Sequence, residues 1–172
     1  MSEEFDFIVV GAGSAGCVLA NRLTESGRYS VLLLEAGGRD SNPWIHIPLG
    51  YGKLFTNPKV NWLYQSEPEP ELNGRQIIQP RGKVLGGSSS INGLLYVRGQ
   101  REDFDHWRQL GNAGWSFEDV LPYFRKSENQ ERGADDLHGV GGPLCVSNVS
   151  EPHPLCEAFI EASVQAGFRR ND

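Results

Sequence analysis

The hydrophobic pattern opens with Phe5-Asp6-Phe7-Ile8-Val9-Val10, a short β-branched run that stops at Gly11. A run of this kind bounded by glycine predicts a buried strand. Ala15, Val18, Leu19 and Leu23 follow with the spacing of one apolar helix face, and that helix should end near Ser26-Gly27. Val31-Leu32-Leu33-Leu34 then runs without alternation up to Glu35, as expected of a parallel strand covered on both faces. Strand, helix and strand in this order make one βαβ unit.

From Ala36 to about Gly99 no helical stripe appears, while Gly, Pro and Asn recur. Ordinary loops are far shorter, so this segment is expected to be functional or to hold irregular structure around a ligand. Within it, Asn73-Gly74 ahead of Ile77-Ile78 predicts a hairpin, because Asn-Gly favours the type I′ turn. Helical patterning returns over Glu102 to Leu110, closed by Gly111, and again after Ser116. There Ser116-Phe117-Glu118-Asp119 reads as a capping box with Asp in its last place. Pro122 falls inside this second helix and is expected to kink or divide it. Gln130 to Gly142 is polar and glycine-rich, Pro143 to Val149 reads as a short strand, and Leu155, Phe159, Ala162 and Ala166 line a last helix ending at Gly167.

Composition narrows the chemistry. The net charge of −6 gives no electrostatic reason to seek phosphate backbones, so nucleic acid is not an expected partner. No apolar run approaches the roughly 18 residues of a membrane span, and the acidic start Met1-Ser2-Glu3-Glu4 lacks the features of a signal peptide. A soluble, cytoplasmic chain without a transmembrane segment is expected. Cys17, Cys145 and Cys156 are widely spaced, form no C-x-x-C pair, and the histidines are equally scattered. Neither a disulfide framework nor a zinc site is expected.

Gly11-Ala12-Gly13-Ser14-Ala15-Gly16 fits G-x-G-x-x-G between a predicted strand and a predicted helix, the context that the dinucleotide-binding fingerprint requires. Gly11 permits the tight turn, Gly13 lets the backbone approach a pyrophosphate, and Gly16 lets the helix lie close to the strand. The helix N-terminus offers free N–H groups and a positive dipole end to phosphates. Glu35 ends the second strand about 20 positions past the last glycine, placed to accept ribose hydroxyls and to repel a 2′-phosphate. The neighbouring Ala12-Gly13-Ser14-Ala15-Gly16 lacks the first glycine of a nucleophile elbow, which argues against a hydrolase.

The fingerprint alone does not separate NAD from FAD. The stretch from Pro80 to Gly99 carries a Gly86-Gly87-Ser88-Ser89-Ser90 centre, whose amides and hydroxyls suit either a second part of a large polar ligand or the cap of a short helix. With Leu32–Gly38, Asn61-Trp62-Leu63-Tyr64, Glu67–Pro70, the Gly82-to-Gly99 pattern, Trp115-Ser116, Leu121–Phe124, His138-Gly139 and Gly142-Pro143-Leu144, the chain resembles the glucose–methanol–choline (GMC) flavoprotein oxidoreductases along nearly its whole length, and the choline-dehydrogenase-like branch in particular.

The resemblance implies an α/β fold. It would be a Rossmann-like FAD-binding βαβ unit with a long irregular FAD-contacting segment, incomplete relative to the family fold. Residues 1–150 would form the N-terminal part of the FAD-binding domain and 151–172 the start of a truncated substrate-binding region. It implies FAD-dependent oxidation of a small-molecule alcohol by hydride transfer to flavin. The ADP half would lie on the N-terminal fingerprint, with Glu35 on the adenosine ribose. Val84 and Asn92-Gly93-Leu94-Leu95 match positions on the flavin side. The cofactor-binding set so implied is Gly11, Gly13, Ser14, Ala15, Gly16, Glu35, Ala36, Arg81, Val84, Gly87, Ser88, Asn92, Gly93, Leu94 and Leu95, with no catalytic residue and no metal ligand. Family members with covalent FAD carry a histidine just before the asparagine. Ile91 stands there, so non-covalent FAD is expected.

The family's catalytic histidine lies far beyond position 172, and no histidine here matches it. An N-terminal fragment is therefore expected, inactive and aggregation-prone alone, since a lone βαβ unit leaves sheet edges and apolar faces open. The alternatives are a non-catalytic FAD- or ADP-binding remnant and, ranked low, an NAD-dependent dehydrogenase.

Overall fold

In the computed structural model, which describes residues 4–170, the N-terminal pattern gives β1 (Phe7–Val10), α1 (Ser14–Thr24) and β2 (Val31–Leu34). β1 and β2 pair in parallel from Phe7↔Val31 to Val10↔Leu34. Asp6 and Ser30 pin this register one residue ahead of it. The Asp6 carboxylate accepts from the Ser30 amide at 2.7 Å and from its hydroxyl at 2.8 Å, and the Asp6 amide donates to the same hydroxyl at 3.1 Å. The Ser30 amide is the main reason the Asp6 carboxyl is held below its ordinary value.

α1 lies on the Val9 face of β1. A Cβ at Gly16 would fall 1.8 Å from the Gly11 carbonyl oxygen and 3.4 Å from Val9 Cγ1, so only glycine allows this approach. The opposite face is largely open, with Ile8 63% and Val10 82% exposed. The burial expected of β1 is met on one face only. α1 supplies one cover, and no described segment supplies the second.

The chain divides into two units, residues 1–95 and 96–172. In the first, the irregular segment consists of 3₁₀ turns at Pro43–Ile45, Pro48–Gly50, Pro70–Leu72 and Gly87–Ser90, a single-turn α2 (Tyr51–Leu54), and β3 (Tyr64–Gln65) paired antiparallel with β4 (Ile78–Gln79). Its core is Leu54, Val60, Val84 and Ile91, with Ile45 packed against it. Asn61 is also buried, and it is satisfied. Its amide donates to the Phe55 carbonyl at 3.0 Å, and its oxygen accepts from the amides of Leu63 at 3.0 Å and Arg81 at 3.1 Å. The expected hairpin is present. Asn73 and Gly74 have φ of 58° and 72°, and the Arg75 amide donates to the Leu72 carbonyl at 3.2 Å, closing a type I′ turn that extends the preceding 3₁₀ turn.

In the second unit, α3 (Arg101–Gln109) and α4 (Phe117–Ser127) both begin in capping boxes, from Gln100 with Asp103 and from Ser116 with Asp119. Phe104 of α3 meets Phe117 and Phe124 of α4 with ring centroids 6.2 and 5.6 Å apart. Pro122 does not divide α4. It removes one helical amide, whose would-be acceptor on Glu118 lies on an exposed turn where water replaces it.

β5 (Glu128–Gln130), which the polar sequence does not announce, pairs in parallel with β6 (Leu144–Val146). Glu128 is 0% exposed. It receives Arg98 Nη2 at 2.7 Å and the Gly139 amide at 2.8 Å, and His138 Nδ1 lies 3.0 Å from it. Burial alone pushes the Glu128 carboxyl up. The Gly139 amide, the His138 contact and the Arg98 charge outweigh this and hold it below its ordinary value. The last helix, α5 (Pro154–Gln165), is capped by His153, whose Nδ1 accepts from the Leu155 amide at 3.2 Å. No helix of the described residues is long and apolar enough to cross a membrane.

Replacing Glu128 with Gln leaves the Arg98 guanidinium without its counter-charge. This is expected to destabilise the second unit by about 3–5 kcal/mol, measured as faster hydrogen exchange in α3 and α4. The folded carboxyl titrates below the ordinary value of 4.5. Its contribution is therefore complete above that pH and is lost as pH falls through the folded value. The Gln variant should lack this acid-dependent component, and an unchanged acid profile would contradict the assignment.

Candidate functional site

The site forms where two glycine-rich bends of the first unit meet. The first runs from the end of β1 into α1, and the second is the 3₁₀ turn Gly87–Ser90. The Gly86 amide donates to the Ala12 carbonyl at 2.7 Å, and a Cβ at Gly87 would fall 2.8 Å from Gly13 Cα. The two backbones touch with no room for a side chain between them.

Around this contact the first bend keeps a free side. A Cβ at Gly13 would meet nothing within 4 Å, so the surface above it is open to a ligand. α1 has no side-chain cap and no acidic residue in its first turn, which leaves the amides of Ser14, Ala15 and Gly16 free to meet an anion.

Glu35 ties the first bend to the chain just past β2. Its carboxylate accepts from the Ala12 amide at 2.8 Å and from the Gly37 amide at 2.9 Å. Sequence reading assigned Glu35 to a ribose. In the structure two of its roughly four acceptor positions already serve the protein backbone, and the others stay open. Ala36 beside it is exposed.

The second bend rests on residues that sequence reading gave no role. A Cβ at Gly37 would fall 2.1 Å from the Lys83 carbonyl, and one at Gly82 would fall 2.1 Å from the Gly87 oxygen. The Leu85 amide donates to the Gly38 carbonyl at 2.9 Å. Recurrent Gly-Gly pairs were the available signal, but not their partners. Ser88 Oγ accepts from the Gly82 amide at 3.1 Å and lies 3.5 Å from Arg81 Nη1. The Arg81 guanidinium is otherwise exposed, and its backbone is fixed by Asn61.

Val84 belongs to the core, with 1% exposure, so almost none of it is offered outward. Asn92, Gly93, Leu94 and Leu95 follow the bend as an exposed loop. Leu94 has φ of 62°, supported by its amide donating to Asn92 Oδ1 at 3.1 Å. A leucine in the left-handed region costs about 1–3 kcal/mol, a strain that clusters at ligand-binding loops. Asn92 and Leu94 border a cleft of about 170 Å³ together with Trp44, His46 and Tyr51. That cleft does not reach Gly13 or Glu35.

The structure thus brings Gly11, Gly13, Ser14, Ala15, Gly16, Glu35, Gly87 and Ser88 around one contact, with Arg81 beside Ser88 and residues 92–95 leading away from it. The arrangement offers helix-terminal amides, a guanidinium and a carboxylate with spare lone pairs, groups that suit an extended phosphate-containing ligand carrying sugar hydroxyls.

Comparison with known proteins places this arrangement. The family model of the GMC oxidoreductase N-terminal domain matches residues 5–172. The chain is 52% identical over 167 residues to the oxygen-dependent choline dehydrogenase of Rhizobium etli (strain CIAT 652), covering 97% of this chain and 30% of that protein. Among solved structures, pyridoxine 4-oxidase from Mesorbium loti superposes with a TM-score of 0.89 at 37% identity, covering 94% of this chain and 32% of the other. A formate oxidase of Aspergillus oryzae RIB40, studied for modification of its FAD, superposes with a TM-score of 0.81 at 34% identity, covering 95% and 30%. The chain thus spans about 30% of the length of the curated relatives it matches. Matched over all but its first four residues, the chain belongs to the GMC oxidoreductase family and corresponds to its N-terminal domain.

Proposed function

We propose that this chain supplies the FAD-binding part of an FAD-dependent oxidoreductase that converts a small alcohol to an aldehyde or ketone. The observation that carries this reading is the contact between the two bends, Gly86 amide on Ala12 carbonyl at 2.7 Å. It joins the turn that leads into α1 to the bend that the 92–95 loop follows. The family membership and the FAD of the formate oxidase support the same cofactor.

In this reading the amides of Ser14, Ala15 and Gly16 hold the pyrophosphate, with Arg81 as a cationic partner across from them. The open acceptor positions of Glu35 take the adenosine ribose hydroxyls, and Ala36 leaves that approach uncluttered. Gly13 and Gly87 allow the backbone to lie against the cofactor, and Asn92 to Leu95 line its flavin end. The bound FAD supplies the hydride acceptor. The chain's own residues bind and orient it, and none is assigned a proton-transfer role. Ile91 sits at 2% exposure in the core and carries no nucleophile, which supports non-covalent attachment. Residues 1–150 belong to the FAD-binding domain and 151–172 begin the substrate-binding region. The exposure of Phe159 and Leu155 on α5 supports this, since that helix buries no residue of its own. Choline is the substrate named for the curated relatives, and a small alcohol of that kind is the substrate class proposed here.

The direct test is anaerobic titration of the flavin-loaded protein with choline. Bleaching of the flavin absorbance supports the oxidoreductase, whereas retained flavin without bleaching supports a binding fragment only.

Gly13→Val fills the open approach to the pyrophosphate, and Gly87→Val forces the bends apart. Each is expected to lower the bound flavin, measured by absorbance on the purified protein, by about tenfold or more. Full flavin content in both variants would contradict the assignment. Denaturation in guanidinium should release all the flavin into the filtrate, and flavin retained on the polypeptide would overturn non-covalent binding.

A further inference from the structure

A second cleft of about 480 Å³ in the first unit touches the cofactor set only at Val84. Its polar lining is Arg39, Ser41, Asn42, Asn57 and Lys59, with Trp44 as a wall, and no carboxylate is among the lining residues. Neither Arg39 nor Lys59 joins an ion pair among the described residues.

The two asparagines add donors of fixed sense. Asn42 Oδ1 accepts from the Trp44 amide at 3.0 Å, and Asn57 Oδ1 accepts from the Lys59 amide at 3.0 Å. A backbone N–H only donates, so each asparagine oxygen is committed and each NH₂ is the end left over. The Lys53 ammonium lies 3.8 Å from the centroid of the Trp44 ring, a third positive charge beside the same wall. On a chain of net charge −6, this cleft collects two cations and hydrogen-bond donors with no carboxylate in its lining, Asp40 bordering the neighbouring cleft beside His46.

We propose that this cleft is a binding site for a phosphate-bearing small molecule, separate from the FAD site. A single carboxylate would engage one of the cations. A phosphate or diphosphate spreads two or more negative charges over several oxygens, meets Arg39 through its planar fork, and still reaches Lys59 and the asparagine donors. The volume admits a phosphorylated metabolite rather than a bare ion.

The test is calorimetric titration of inorganic pyrophosphate into the full chain loaded with FAD, with flavin absorbance recorded on the same samples. Saturable binding is expected, weakened about tenfold by Arg39→Ala and again by Lys59→Ala. Both side chains are exposed, so melting temperature and flavin content should stay at the parent values. The proposal would be overturned by no saturable binding to the FAD-loaded protein, or by equal binding by the double variant. Binding seen only without FAD would also overturn it, by assigning the anion to the cofactor's own turn. A chain that holds no flavin would count against the FAD reading alone, since dependence on Arg39 and Lys59 still decides this one.

Discussion

No side chain fits between the two bends, and the rest of the first unit is arranged around that constraint. Gly87 lies against Gly13, Gly37 against Lys83, and Gly82 against the Gly87 carbonyl, each at a distance that a Cβ would violate. These approaches are backbone on backbone, so a clash is not relieved by a rotamer change. Glu35 holds the first bend by accepting the Ala12 amide and fixes Gly37 by accepting its amide. The core of Leu54, Val60, Val84 and Ile91 then holds the second bend from beneath. Ile91 contributes to it as packing.

Much of this was legible in the sequence where local chemistry decides. β1, α1 and β2 follow from an apolar run, a helical stripe and a second apolar run, and the Ser116 box and the Asn73-Gly74 turn form where their residue types require. Features that depend on distant partners were not legible. β5 reads as polar chain because Glu128 is buried only through Arg98, 30 residues earlier, and through His138 and Gly139 after it. Pro122 was expected to kink or divide α4, yet the helix runs through it, and the missing hydrogen bond falls on an exposed turn. The burial expected of β1 is met on one face only, because no described segment covers the other.

The candidate site divides in the same way. The Gly11-to-Gly16 turn and Glu35 come from spacing alone. The second bend entered through the resemblance to a family, since no periodicity connects residue 87 to residue 13. Gly37, Gly82 and Asn61 set the bend's position but do no recognisable chemistry, so local sequence marks them as members of a pattern without revealing their partners. Val84 shows the reverse case, a residue assigned to the flavin side whose side chain serves the core.

The central claim is that one cofactor is gripped at both ends by bends that meet in the middle. Its most direct test compares the dissociation constants of FAD, ADP and FMN for the full chain by titration calorimetry. If both bends hold the same molecule, FAD should bind at least about tenfold more tightly than either half. ADP binding as tightly as FAD would mean that the second bend adds nothing, and the account would fail.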